Sequence, residues 1–280
     1  MKLSVGCTLG YRCDGPATLM LTIRPQDGGN QQVLSENFRI DPDLPKEHFE
    51  DSFGNRTVRL RPSGGQVQID YQALVHLQPP FAGSWEAARL VDPGELPPEV
   101  VPYLFPSRYC QSDRMVPLAN SLVGHLEPGY ARIDGLCDWI YENIAYSYGT
   151  SDVHTSAPDT VIERIGVCRD FAHLGIALSR ALGTPARFVA GYAFKLDPPD
   201  FHAYFEAYLG GNWYLFDATR KAPREGLVRI ATGRDAADTS FANLFGEVTP
   251  DGMAVWAHEG SDESPSEPAP VETPLSNQVT

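Results

Sequence analysis

Gly166-Val167-Cys168-Arg169-Asp170-Phe171-Ala172-His173-Leu174-Gly175-Ile176-Ala177-Leu178-Ser179-Arg180-Ala181-Leu182-Gly183-Thr184-Pro185 runs directly into Ala186-Arg187-Phe188-Val189-Ala190-Gly191-Tyr192-Ala193-Phe194. Phe171, Leu174, Leu178 and Ala181 recur at the three- and four-residue steps of a helix with one buried face, so a helix is expected over Cys168 to Leu182. Gly183 can take the left-handed conformation that ends a helix, and Pro185 cannot continue one. Ala186 to Phe194 then reads as a strand, with His202 to Leu209 and Trp213 to Phe216 after it. Gly210-Gly211-Asn212 between the last two is a strong hairpin signal.

Upstream, Ile133, Leu136, Ile140 and Ile144 predict a second amphipathic helix from about Pro128 to Asn143. Ser156-Ala157-Pro158 opens a shorter one, with a capping serine and a proline in the first turn. Helices first and sheet second make this part α+β. The first third instead alternates with period two, at Leu3, Val5, Cys7 and Leu9, at Leu19, Leu21 and Ile23, at Val58 and Leu60, and at Val67, Ile69 and Tyr71. Turn residues stand between these runs at Asp27 to Asn30, Asp51 to Asn55 and Pro62 to Gly65. The expected organisation is an antiparallel, sandwich-like β domain over 1–78, a Pro-rich connector over 79–106, an α+β catalytic unit over 107–258, and an acidic, disordered tail over 259–280.

Of 280 residues, 42% are hydrophobic and 21% charged, enough apolar material for packed cores. Asp and Glu total 36 against 22 Lys and Arg, and the net charge of −14 repels phosphate backbones and anionic lipid surfaces. Nucleic-acid and membrane partners are therefore not expected. No apolar run approaches the ~20 residues that span a bilayer, and the start of the chain lacks a basic segment followed by an apolar one. The five cysteines, Cys7, Cys13, Cys110, Cys137 and Cys168, are odd in number and scattered, unlike the disulfide framework of a small secreted domain. A soluble, cytoplasmic protein with reduced thiols is expected.

Cys168 sits where a loop enters a helix, facing unpaired backbone N–H groups and the positive end of the helix dipole, a geometry that favours thiolate. Taken alone, a cysteine at a helix start is more often inert and buried. Its company changes that balance. His202 opens one strand and Asp217 closes the next, and a tight antiparallel hairpin can bring those two ends together. A thiol, an imidazole and a carboxylate then supply a nucleophile, its base and the group that fixes the base's tautomer.

Three segments carry a family resemblance: Gly166 to Leu174, Arg180 to Tyr192, and His202-Ala203-Tyr204-Phe205-Glu206-Ala207-Tyr208 with Trp213-Tyr214-Leu215-Phe216-Asp217-Ala218-Thr219. Together they resemble the bacterial transglutaminase-like superfamily of cysteine-protease type, densely from Pro128 to Asp238. The strand-rich first third resembles the β domain that precedes this core in bacterial members. The resemblance implies a papain-like transglutaminase core with Cys168 as nucleophile, His202 as general base and acid, and Asp217 as orienter. It also suggests an upstream aromatic or amide side chain as a second oxyanion donor beside the Cys168 N–H, and Tyr148 is the candidate. The chain departs from the commoner pattern in having Tyr204 where a Trp is usual and Ala218 where a Pro is frequent. Both changes lie outside the triad, and both bear on substrate preference.

Asp170, in the first turn of the Cys168 helix, complements the macrodipole and is expected to be structural. His173 is expected to be a satisfied helix histidine, and Arg234, Asp235 and Asp238 a surface loop with local salt bridges. Cys168, His202 and Asp217 are all possible zinc ligands, but no Cys-x-x-Cys or His-x-x-x-His pair supports them. Asp197-Pro198-Pro199-Asp200 lacks the ligand ladder of a calcium loop, so neither metal nor cofactor is expected. The expected function is a thiol enzyme that cleaves a peptide or amide bond in a peptide or protein substrate through an acyl-enzyme. The alternatives are a protein-glutamine transamidase or deamidase, and a non-catalytic protein-binding module on the same fold.

Overall fold

The computed structural model describes residues 1–78 and 85–260 and begins with six strands: β1 (Lys2–Cys13), β2 (Thr18–Leu21), β3 (Gln31–Asp41), β4 (Glu47–Glu50), β5 (Arg56–Leu60) and β6 (Gly65–Leu77). Short 3₁₀ turns follow between Trp85 and Arg114. Then come α1 (Val116–Val123), α2 (Tyr130–Asn143), β7 (Ala145–Tyr146), α3 (Ala157–Glu163), β8 (Ile165–Gly166) and α4 (Cys168–Ala181). The chain ends its described part with β9 (Ala186–Ala193), β10 (Phe201–Leu209), β11 (Asn212–Phe216), β12 (Leu227–Gly233), β13 (Ala242–Phe245) and β14 (Val248–Glu259). The fold class is α+β.

The period-two runs become β1, β2, β5 and β6, whose apolar positions are buried in one cluster. They form two four-stranded antiparallel sheets, in the orders β14-β1-β6-β3 and β13-β2-β5-β4. The turn residues serve two purposes. Asp51 to Asn55 closes a true hairpin between β4 and β5, whereas Asp27 to Asn30 and Pro62 to Gly65 carry the chain from one sheet to the other. β3 and β4 have no period-two signature because they are edge strands, and most of their side chains face solvent.

The α+β unit expected over 107–258 does not run to residue 258. β13 pairs with β2, and β14 pairs with β1 from Leu3↔Glu259 to Cys13↔Val248, so the chain leaves the unit after β12 and completes both sheets of the β domain. The alternating residues of these last strands identify them as strands, but nothing local says which sheet edge they join. Glu259, placed in the tail by composition, closes β14. The rest of that tail, 261–280, lies outside the described residues, as do residues 79–84 of the connector. The described connector is not loose. Its Leu96 and Val100 are buried with Tyr208, and Tyr103 meets Trp213 edge-on at 5.3 Å.

The two longer predicted helices form within two residues of their expected ends. Gly129 (φ 147°) precedes α2 and Gly183 (φ 75°) follows α4. Ser156 begins α3 as expected, its N–H and Oγ both donating to Asp159 Oδ2 at 2.9 and 2.6 Å. α2 and α4 pack with the sheet β11-β10-β9-β12 around Phe171, Leu174, Leu178, Phe205 and Phe216. Ring contact is close enough that a Cβ on Gly175 would lie 2.5 Å from Phe205. Tyr192, Val228, Ile230 and Ala231 of the same sheet belong instead to the core of the β domain. Among the described residues no helix is long and apolar enough to cross a membrane.

Candidate active site

Cys168 is the first residue of α4, and its backbone N–H lies among the N-terminal donors that have no intrahelical acceptor. Three features hold it there. β7 and β8 pair in parallel, Tyr146 opposite Gly166; Val167 is extended (φ −111°, ψ −177°); and Asp170 Oδ2 accepts a 2.8 Å hydrogen bond from the Val167 N–H. Asp170 thus clamps the turn that presents the thiol, the structural role expected of it. A Cβ on Gly166 would lie 2.7 Å from that of Asp170, so only glycine fits beneath the clamp.

His202, the second residue of β10, and Asp217, just beyond β11, are 2% exposed and joined by a 2.9 Å contact from Nε2 to Oδ2. The turn at Gly210 (φ 54°) and Gly211 (φ 88°) fixes the register with Leu209 opposite Asn212 and Phe205 opposite Phe216. One step further along that register Asp217 stands opposite Tyr204, diagonal to His202. The second oxygen of Asp217 is held by the Thr219 N–H at 2.9 Å and its hydroxyl at 2.8 Å. With Nε2 committed to Asp217, Nδ1 makes no hydrogen bond of ordinary geometry among the described residues. It is the ring nitrogen left for the Cys168 thiol, the other side chain that acts on the imidazole.

Burial opposes a charged imidazole, but the hydrogen bond to Asp217, the contact with Cys168 and the attraction of both groups outweigh it and raise the His202 pKa to about 10. Burial works against the Asp217 carboxylate too, yet His202 and Thr219 hold its pKa below the usual value. The arrangement is a buried, charge-assisted pair that presents one imidazole edge to a thiol at a helix N-terminus.

The upstream tyrosines are placed differently from the expectation. Tyr148 is 41% exposed and reaches Tyr146, its ring 5.5 Å away at 81°. Tyr146 is the one whose hydroxyl engages the Cys168 backbone N–H. Burial first, then the neighbouring Cys168 and Tyr148, keep that hydroxyl protonated. The run Ala145-Tyr146-Ser147-Tyr148 offers two tyrosines, and only the pairing of β7 with β8 selects between them.

His173 is a helix histidine in the core, as expected, but not a fully satisfied one, since its Nδ1 is buried without a hydrogen-bond partner among the described residues. Its Nε2 accepts from the Ala236 N–H at 3.1 Å, its ring stacks on Tyr109 at 4.9 Å, and burial holds its pKa well below the usual value. Arg234 and Asp238 form the expected surface pair. Asp235 differs: it is 1% exposed, and its carboxylate accepts from the Tyr109 and Ala237 N–H groups. Arg180, unremarked in the sequence, is buried and donates to the carbonyls of Phe105, Ala186 and Arg234, tying the end of α4 to the connector and the sheet.

The sequence pattern of the transglutaminase-like superfamily matches residues 116–218, and that of the bacterial transglutaminase N-terminal domain matches residues 1–83. The crystal structure of "a Putative Cysteine Protease from Cytophaga hutchinsonii" superposes over 96% of this chain and 94% of that one, with 43% identity and a TM-score of 0.89. An uncharacterized protein of Mycobacterium leprae is 25% identical over 85% of this chain and 91% of its own length. Another, from Mycobacterium tuberculosis, is 28% identical over 63% of this chain and 60% of its own. With a β-rich N-terminal region preceding the matched core and a 43%-identical structure covered almost end to end, this chain belongs to the transglutaminase-like superfamily.

Proposed function

We propose that the protein is a thiol-dependent acyl-transfer enzyme that hydrolyses a peptide or amide bond through an acyl-enzyme on Cys168. The observation that carries this reading is the convergence of Cys168, His202 and Asp217, from a helix start and two strand ends, in one buried contact set. His202 takes the thiol proton through Nδ1, and the thiolate sulfur attacks the carbonyl carbon. The carbonyl oxygen becomes an oxyanion that takes the place of the Tyr146 oxygen on the Cys168 N–H, and the Tyr146 hydroxyl turns from Tyr148 to donate to it. His202 returns the proton to the leaving amine, the C–N bond breaks and a thioester remains. His202 then takes a proton from water, whose oxygen attacks the thioester carbon; the C–S bond breaks, the carboxylic acid leaves and the proton returns to the Cys168 sulfur. Asp217 keeps Nδ1 as the working nitrogen throughout and stabilises the imidazolium.

Intact-mass spectrometry after mixing with an activated ester or peptide amide tests the reading. A mass increase on the Cys168 peptide that hydroxylamine removes is expected, with no increase in Cys168→Ser. An adduct on another cysteine, or turnover undiminished in Cys168→Ala, would overturn it. Adding a primary amine should leave the product a carboxylic acid, since water is the assigned acceptor.

A further inference from the structure

Cys168 and His202 open into a cavity of about 130 Å³ between the catalytic unit and the β domain. An engineered cavity of about 150 Å³ admits benzene, so this one is of a size for a large side chain. Phe188 and Phe201 wall it from the catalytic sheet, Leu9 from β1, and Phe241, Leu244 and Met253 from the segment that returns to the β domain. Phe201 and Phe241 stack across the junction at 4.7 Å, 25° from parallel. Two further charged side chains line the cavity: Arg169, which donates to the Asp152 carbonyl and whose Nε lies 3.6 Å from Asp170 without a hydrogen bond, and Asp200, one oxygen of which accepts from the Phe201 N–H at 2.7 Å. The Tyr109, Thr239 and Ser240 hydroxyls on the lining donate to the Val153, Asp235 and Ala242 carbonyls. An amide or charged substrate group placed among the apolar walls would lose its hydration and gain little in return.

Resting on the thiol acyl-transfer reading above, we propose that the enzyme's substrates carry a large apolar side chain on the acyl side of the scissile bond. That side chain fills the cavity, and the β domain supplies part of the wall. The acyl side is assigned because Cys168 itself lines the cavity, so a group seated there stays tethered in the thioester while the amine departs. On this account the β domain is part of the specificity site, and glutamine is a poor acyl donor.

The test compares alkylation of Cys168 by N-blocked aminoacyl chloromethyl ketones, in which the sulfur bonds to the methylene carbon and chloride leaves. The phenylalanyl and leucyl reagents should react about 10- to 100-fold faster than the glycyl reagent, the range over which apolar pockets discriminate. The glutaminyl reagent should gain nothing over glycyl. Met253→Trp, which fills the cavity from the β domain, should bring the Phe/Gly ratio down at least tenfold, and Phe241→Ala should favour a naphthylalanyl reagent over a leucyl one. Because each readout is a ratio within one variant, general damage to the fold cancels. A Phe/Gly ratio near one, a preference for glutaminyl, or a ratio untouched by Met253→Trp would overturn the proposal. Iodoacetamide reports separately on the underlying reading, which fails if another cysteine outcompetes Cys168 whatever the ratios show.

Discussion

The imidazole of His202 is held on one side by a carboxylate that the Thr219 hydroxyl and N–H hold in turn, leaving its other nitrogen to the thiol. A histidine raised to about 10 in the fold from 6.5 contributes stability in full below about 6.5 and loses it as the pH climbs through about 10. Wild-type protein should therefore lose stability between these values, and Asp217→Asn should lose much less over the same span, read by urea unfolding across pH. In catalysis the same substitution lowers the histidine pKa, so the alkaline limb of kcat/KM should move to lower pH. The rate should fall by about 100-fold or less, because a thiol needs less help from its base than a hydroxyl does, while His202→Ala should cost far more. An unchanged profile in Asp217→Asn would show that another group orients the ring. Tyr146→Phe should lower kcat by about 100-fold with little change in KM, as expected for a lost oxyanion donor; Tyr148→Phe should do much less. Burial pushes the thiols of Cys7 and Cys110 up to about 12 and raises those of Cys13 and Cys137 as well. Cys168, beside an imidazolium and a cavity, should be the residue iodoacetamide labels first.

At the scale of elements, the proposed catalytic groups are presented by ends: the start of α4, the start of β10 and the residue past β11. Ends are where backbone donors are unpaired and side chains can converge, while the middles of these elements are spent on packing. β14 has a different task. It runs along β1 for almost its whole length and covers an edge that otherwise exposes a long apolar strand. Ending the chain after Phe245 should therefore lower the melting temperature and promote aggregation relative to a chain ending at Gly260, measured by thermal melts with light scattering. Equal melting of the two would mean that β1 is secure without its partner.

For the molecule as a whole, the sheet that carries His202 is shared between two cores. Its α4 side packs on the helices, while Tyr192, Val228 and Ile230 complete the β domain, and the Tyr192 hydroxyl donates to the Ile23 carbonyl at 2.8 Å. Asn55 stitches the same junction. It donates to the Thr232 carbonyl at 2.9 Å and accepts from the Thr232 N–H at 2.8 Å, fully buried. Asn55→Ala should destabilise by about 1–3 kcal/mol per orphaned backbone group at most, a loss measurable by urea denaturation. The shared core also predicts one cooperative unfolding transition by calorimetry and no stable catalytic fragment once residues 1–105 are removed. Two separated transitions would show that the sheets are only neighbours.

Local rules carried much of this protein. The start of α4 at Cys168, its end before Gly183, the hairpin at Gly210-Gly211 and the buried alternation of β1 and β6 all follow from interactions within a few residues, where periodicity and backbone preference act. The convergence of Cys168, His202 and Asp217, the proposed triad, was legible for the same reason, since a helix start and two strand ends joined by a tight turn leave little freedom in where their side chains go. Tertiary structure alone decided the rest. Which tyrosine lies against the Cys168 N–H depends on a parallel pairing with β8, the recruitment of β13 and β14 on open sheet edges more than 220 residues upstream, and the cavity on walls from both ends of the chain. Edge strands β3 and β4 were silent because a solvent-facing strand needs no apolar period. Partner choice between sheets is set by which complementary surface survives the folding of everything else, and no window of neighbouring residues contains that information.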